Sequence, residues 1–111
     1  MYLASLVLGF PMASVYTKSD NEITASVGDS FVIELEGNPT TGYEWKLHFD
    51  SDKLKLLDQQ FKVGGSVGAG GAQQFKVEAL KSGQTTIRAV YKRAWESDSL
   101  EEHTFRVKVT S

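Results

Sequence analysis

Apolar side chains recur at every second position in five separate runs between Phe31 and Val109, and this alternation constrains the fold more than any other feature of the chain. A period of two belongs to a strand with one face buried and the other in water. Phe31, Ile33 and Leu35 alternate with Val32 and Glu34; Tyr43, Trp45, Leu47 and Phe49 alternate with Glu44, Lys46 and His48. Phe75, Val77 and Ala79 alternate with Gln74, Lys76 and Glu78; Ile87, Ala89 and Tyr91 with Thr86, Arg88 and Lys92; Phe105, Val107 and Val109 with Thr104, Arg106 and Lys108. Turn-forming residues separate the runs at Val27-Gly28-Asp29, Gly37-Asn38-Pro39, Asp50-Ser51-Asp52, Lys81-Ser82-Gly83 and Ser97-Asp98-Ser99, with a glycine cluster after Val63. Ser51 to Phe61 is ambiguous, since Leu54, Leu56, Leu57 and Phe61 could line a short helix, but its Lys-Leu-Lys-Leu alternation and its place between strands favour a strand. The pattern predicts an all-β fold, an immunoglobulin-like antiparallel β-sandwich.

At 111 residues the chain supports a single core, and it shows no internal repeat and no linker that would mark a second domain. The expected division is one domain over residues 14–111 preceded by an apolar segment, Met1 to Ala13. That segment is too short to span a bilayer and lacks the basic residues that open an intact signal peptide. Three readings of it stand: the tail of a signal peptide beginning upstream, a packed extra strand, or an artefact of where the chain starts. The first is preferred and implies an exported protein, periplasmic or extracellular, with a cytoplasmic location as the alternative.

Composition then excludes much chemistry. The chain has no cysteine, and its two histidines are His48 and His103, so thiol nucleophiles, iron-sulfur sites and zinc clusters fall away. Both histidines are expected as solvated surface residues, and no Ser-His-Asp or paired-carboxylate constellation is visible. The expectation is a protein that is not an enzyme and needs no metal or cofactor. Twelve Lys and Arg scattered against fourteen Asp and Glu give no footprint for a phosphate backbone, so nucleic acid is not an expected partner.

Three loops carry residues that a sandwich does not need. In Asn38-Pro39-Thr40-Thr41-Gly42-Tyr43, the proline fixes its own φ and restricts Asn38, Gly42 permits a positive φ, and two β-branched threonines are stiff, so little freedom remains to be lost on binding. A plain turn is the competing reading. Val63 to Gly71 holds five of the ten glycines and offers bare backbone for close approach. It is not a phosphate loop, because Gly71 and Ala72 stand where Lys and Ser or Thr are required; the alternative is a mobile hairpin tip. In Lys92-Arg93-Ala94-Trp95-Glu96, a Trp beyond the alternation lies beside an Arg, the composition of an interface hot spot. Its alternative is a Trp folded back over the core edge. Alternate connections of a sandwich emerge at one end, so the three loops form a composite binding edge.

Asn38 to Tyr43 followed by Trp45, then Gly68-Ala69-Gly70-Gly71, then Arg93-Ala94-Trp95, in this order and at these intervals, resembles the chagasin-type inhibitors of papain-like cysteine proteases, inhibitor family I42. The resemblance spans Val15 to Val109. It implies a monomeric, reversible, competitive, tight-binding inhibitor whose three loops straddle the active-site cleft of a cathepsin L-type or related enzyme. Asn38, Pro39, Thr40, Thr41, Gly42 and Tyr43 would enter the cleft; Val67, Gly68, Ala69, Gly70 and Gly71 would lie along the non-primed side; Arg93, Ala94 and Trp95 would cover the primed side. Ala94 replaces the Pro usual in the family, which lowers the expected rigidity of the third loop. The rival class is a sandwich that binds a carbohydrate or another protein through the same edge, with Trp95 and Tyr43 as an aromatic platform.

Overall fold

The computed structural model describes residues 14–37, 41–63 and 71–111, so Met1 to Ala13, Asn38 to Thr40, and Val67, Gly68, Ala69 and Gly70 of the glycine loop lie outside the described residues. Eight strands follow in order: β1 (Ser14–Tyr16), β2 (Glu22–Ser26), β3 (Ser30–Gly37), β4 (Tyr43–Phe49), β5 (Leu54–Val63), β6 (Gly71–Ala79), β7 (Gly83–Arg93) and β8 (Glu101–Thr110). They form two four-stranded sheets, β1-β3-β6-β5 and β2-β8-β7-β4. The inward positions of both build one core, in which Ile23, Phe31, Ile33, Leu35, Trp45, Leu54, Phe75, Val77, Ile87 and Phe105 are almost wholly buried. All five alternating runs are strands, and the ambiguous segment after Ser51 turns into β5. The apolar face in each run is the one that builds the core, as period-two patterning demands.

The four pairings among β3 to β8 are antiparallel, whereas β1 pairs with β3 and β2 with β8 in parallel. The cause is the short segment Thr17–Asn21, which carries the chain from one sheet to the other, so that each of the first two strands joins a partner distant in sequence rather than a hairpin neighbour. That crossing is well tied: Asp20 N–H donates to Thr17 O at 2.9 Å, Arg106 N–H to Asn21 O at 2.9 Å, and the His103 ring bonds Asp20 O through Nε2 at 2.8 Å. His103 is therefore half-buried and edge-on to Phe105, 4.7 Å between ring centres, rather than solvated; His48 is exposed as expected.

Two further positions depart from the simple alternation. Val32 and Gln74 point away from the core between the sheets and are nevertheless buried. Both lie on β3 and β6, the two inner strands of their sheet, with flanking strands on each side. Gln74 is satisfied there: it donates through Nε2 to Glu34 Oε1 at 2.7 Å and accepts from Gln60 Nε2 at 3.0 Å, a polar ladder across three strands. A buried amide is tolerable when both its ends are bonded. The β5–β6 register slips between Leu56 and Asp58, a bulge that leaves Leu57 exposed on an edge strand.

Candidate functional site

The three loops singled out in the sequence are the β3–β4, β5–β6 and β7–β8 connections. Their flanking residues meet at one end of the sandwich. Gly37 pairs with Gly71 and Val63 with Gly71 in one sheet, and Tyr43 pairs with Arg93 in the other. Gly37 also bridges the sheets: a Cβ there would lie 3.2 Å from the Tyr91 ring and 3.6 Å from that of Trp45.

What positions this end is a column of rings that rises out of the core. Trp45 is buried, and its Nε1–H donates to Glu36 O at 2.9 Å. Tyr91, opposite it on β7, stacks on it with ring centres 4.8 Å apart. Tyr43 stacks on Tyr91 at 5.3 Å, and the Arg93 guanidinium lies over Tyr43 at 4.5 Å and within 5.8 Å of the Trp95 ring. Residues 91, 93 and 95 share a parity, so the alternation that buries Tyr91 continues past the core and delivers Arg93 to the same face. Stacked rings and a cation over a π face each add roughly 0.5–1.5 kcal/mol beyond area burial. The column therefore couples the third loop mechanically to the core.

Arg93 joins the first and third loops: its Nε–H donates to Thr41 O at 3.3 Å, and its guanidinium also pairs with Glu96 at 3.5 Å. Glu96 N–H donates to Arg93 O at 3.1 Å and Lys92 Nζ donates to Glu96 O at 2.6 Å, which fixes the turn that holds Ala94 and Trp95. This bonding supplies order that a proline at Ala94 would otherwise provide. Lys18, from the crossing segment, pairs with Glu101 and lies 5.9 Å over the Trp45 ring, closing the base of the column.

Trp95 itself is 72% exposed, so it does not fold back over the core edge. Its indole rests on Gly42, where a Cβ would stand 2.9 Å from the ring. Gly42 also has φ +85°, a left-handed conformation that side chains rarely adopt, so both backbone and contact require glycine. Gly71 is required for another reason: a Cβ there would press on Lys62 O and lie 2.6 Å from the Phe61 ring. Thr41 caps the start of β4, its Oγ1 accepting from Tyr43 N–H at 3.4 Å. Thr41, Gly42, Tyr43, Gly71, Arg93, Ala94 and Trp95 are thus gathered at one end. Tyr43 is half-buried, stacked on Tyr91 and covered in part by the Arg93 guanidinium, so less of its ring than of Trp95 is open to a ligand.

Sequence reading missed two residues of this arrangement. Tyr91 read as an ordinary core position, although its hydroxyl-bearing ring at the last apolar step before a Lys-Arg pair is the signal of a side chain with one wet end. Gln73 gave no signal. Its amide crosses from β6 to the free edge of β4, accepting from Trp45 N–H at 2.6 Å and donating to Trp45 O at 3.2 Å.

Among the described residues no group of His, Cys, Asp and Glu could hold a metal ion, and no helix is long and apolar enough to cross a membrane.

Comparison with known proteins agrees with this geometry. The family described as chagasin family peptidase inhibitor I42 matches residues 24–109. Amoebiasin-2 of Entamoeba histolytica is 32% identical over 88 residues, 74% of this chain and 72% of the relative. Chagasin of Trypanosoma cruzi is 28% identical over 107 residues, 86% of this chain and 96% of the relative. The crystal structure of the cysteine protease inhibitor EhICP2 from Entamoeba histolytica superposes with a TM-score of 0.76 at 27% identity, covering 87% of this chain and 94% of the other.

Proposed function

Because this chain belongs to the chagasin family of peptidase inhibitors, we propose that it is a reversible, competitive inhibitor of papain-like cysteine proteases, acting as a monomer on enzymes of the cathepsin L type. The observation that carries this reading is the convergence of three loop bases on one aromatic column, with Trp95 displayed at its tip. In this reading Asn38, Pro39, Thr40, Thr41, Gly42 and Tyr43 enter the cleft, Val67, Gly68, Ala69, Gly70 and Gly71 lie along the non-primed side, and Arg93, Ala94 and Trp95 cover the primed side.

Physics accounts for inhibition without consumption. A thiolate attacks a carbonyl carbon only when that carbon is held close and aligned, with oxyanion donors in place. The residues flanking the first loop are closely packed, Gly37 near the Tyr91 ring and Gly42 against Trp95, which supports a loop that enters a cleft without offering a peptide bond in that alignment. Little order is lost on docking a surface already held by stacking and hydrogen bonds, so an interface of about 1,600 Å² supports tight binding. The inhibitor lacks cysteine, so the Cys and His of the reaction belong to the enzyme.

Titration of papain and a cathepsin L-type enzyme tests the proposal. Competitive loss of activity at submicromolar inhibitor is expected, with the inhibitor recovered uncleaved; full activity of both enzymes at micromolar inhibitor overturns it.

A further inference from the structure

Beyond Trp95, the β7–β8 connection displays a second large apolar side chain that no loop motif includes. Leu100 is 64% exposed and, with Trp95, is one of the two most exposed large apolar residues among those described. The two line one shallow surface hollow of about 450 Å³, together with Tyr43, Glu96, Ser97, Asp98 and Ser99. Leu100 is not there through slack in the chain. Its N–H donates to Tyr91 O at 2.8 Å, the same residue that carries the aromatic column, so its position is tied to that of Trp95. Ser99 Oγ donates to Glu102 Oε2 at 2.8 Å and pins the preceding residue. A leucine held in place and left in water, more exposed than any other leucine among the described residues, is poor use of an apolar group unless something covers it.

The charges around the hollow state what that something carries. Glu96 is paired with Arg93, Glu101 with Lys18, and Glu102 with Arg88 at 3.9 Å. Asp98 makes no ion pair and no hydrogen bond within the described structure, so it is the uncompensated charge on the rim. Apolar contact at the centre with a charge at the edge is the arrangement in which the first sets residence time and the second sets encounter rate and partner choice.

We propose that Leu100 and Asp98 form a second contact with the target peptidase outside its cleft, on an enzyme surface that presents an apolar side chain beside a Lys or Arg. The proposal rests on the inhibitor reading above, since continuity with Trp95 is what assigns the hollow to the same partner. It makes the third loop a selector: enzymes share the chemistry of the cleft, whereas the surface beyond it differs among them. Leu100 and Asp98 then decide which of several similar peptidases is held tightly.

The test measures inhibition constants and association rates of the intact protein, Leu100→Ala and Asp98→Lys against papain and several cathepsin L-type enzymes, at low and high salt. Both side chains are exposed, and unchanged unfolding midpoints confirm that each variant is folded. Leu100→Ala is expected to weaken inhibition about tenfold on some enzymes and leave others unchanged. Asp98→Lys is expected to slow association on those same enzymes and to remove the salt dependence seen with the unaltered protein. If the unaltered protein inhibits the panel and both variants match it within about twofold on every enzyme, a scatter well below a hot-spot loss, the second contact is wrong and the cleft reading stands. If the unaltered protein inhibits none of them, both proposals fall together.

Discussion

At the end of the sandwich that carries Val27–Asp29, Asp50–Lys53 and Leu80–Ser82, the main chain is laced to itself. Gly28 N–H donates to Ala79 O at 2.8 Å, Ala79 N–H to Asp29 O at 3.0 Å, Leu80 N–H to Lys53 O at 2.8 Å and Val27 N–H to Thr110 O at 2.8 Å. At the opposite end the loops are set largely by side chains: Trp45, Tyr91, Tyr43, Arg93 and Trp95 in a column, with Gly37, Gly42 and Gly71 fitted against rings. Hydrogen bonds between backbones are indifferent to most side chains, so apart from its two turn glycines, Gly28 at φ +92° and Gly83 at φ +124°, the first end is a fixture that many sequences could build. The second end depends on particular rings as well as on glycines. A surface that must match another protein is built from the sequence-dependent kind of contact, because there a change of residue changes shape.

The contrast is sharpest at the base of the column. Trp45→Ala removes a buried ring and the support of Tyr91, and is expected to cost about 3–5 kcal/mol in urea unfolding and to abolish inhibition along with it. A loss below 1 kcal/mol, smaller than the usual cost of emptying such a core site, would mean that the loops do not lean on the core. One step further out, Trp95→Ala should separate the two quantities: inhibition weakens by about 1–3 kcal/mol while the unfolding midpoint stays put, since the indole is mostly in water. Gln73→Leu, which leaves Trp45 N–H and C=O without partners at a partly buried edge, is expected to cost about 1–2 kcal/mol of stability. Smallest of all, Arg106→Ala breaks an ion pair to Glu22 at 2.6 Å in which both side chains are 69% exposed, remote from the loops. Its effect on unfolding should stay within about 0.5 kcal/mol and on inhibition should be nil; a larger effect on inhibition would erase the distinction between the ends.

The sheets were legible from residue order because each strand hides alternate side chains, and the gathering of Thr41, Tyr43, Arg93 and Trp95 at one end follows from that strand order. Alternation exposed the strands, and the loop motifs stood out against it, Trp95 most plainly because it lies beyond the last apolar step and stays in water. What escaped was whatever depends on pairing between distant strands. The parallel pairings of β1 and β2 leave no local mark, because the crossing at Thr17–Asn21 has ordinary turn composition. His103 has the parity of Phe105 and Val107, yet its acidic neighbours suggested water, and only the approach of Asp20 explains its burial. Gln74 looked like a surface residue until Glu34 and Gln60 came alongside.

The amide of Gln73 has one more consequence. β4 is an outermost strand, and a bare strand margin is a template onto which any extended polypeptide can add itself, including another copy of the same chain. With the amide on both main-chain groups of Trp45, the middle of that margin is occupied. An extended peptide approaching β4 therefore meets a capped step at Trp45, which makes this margin a poorer template than an open one.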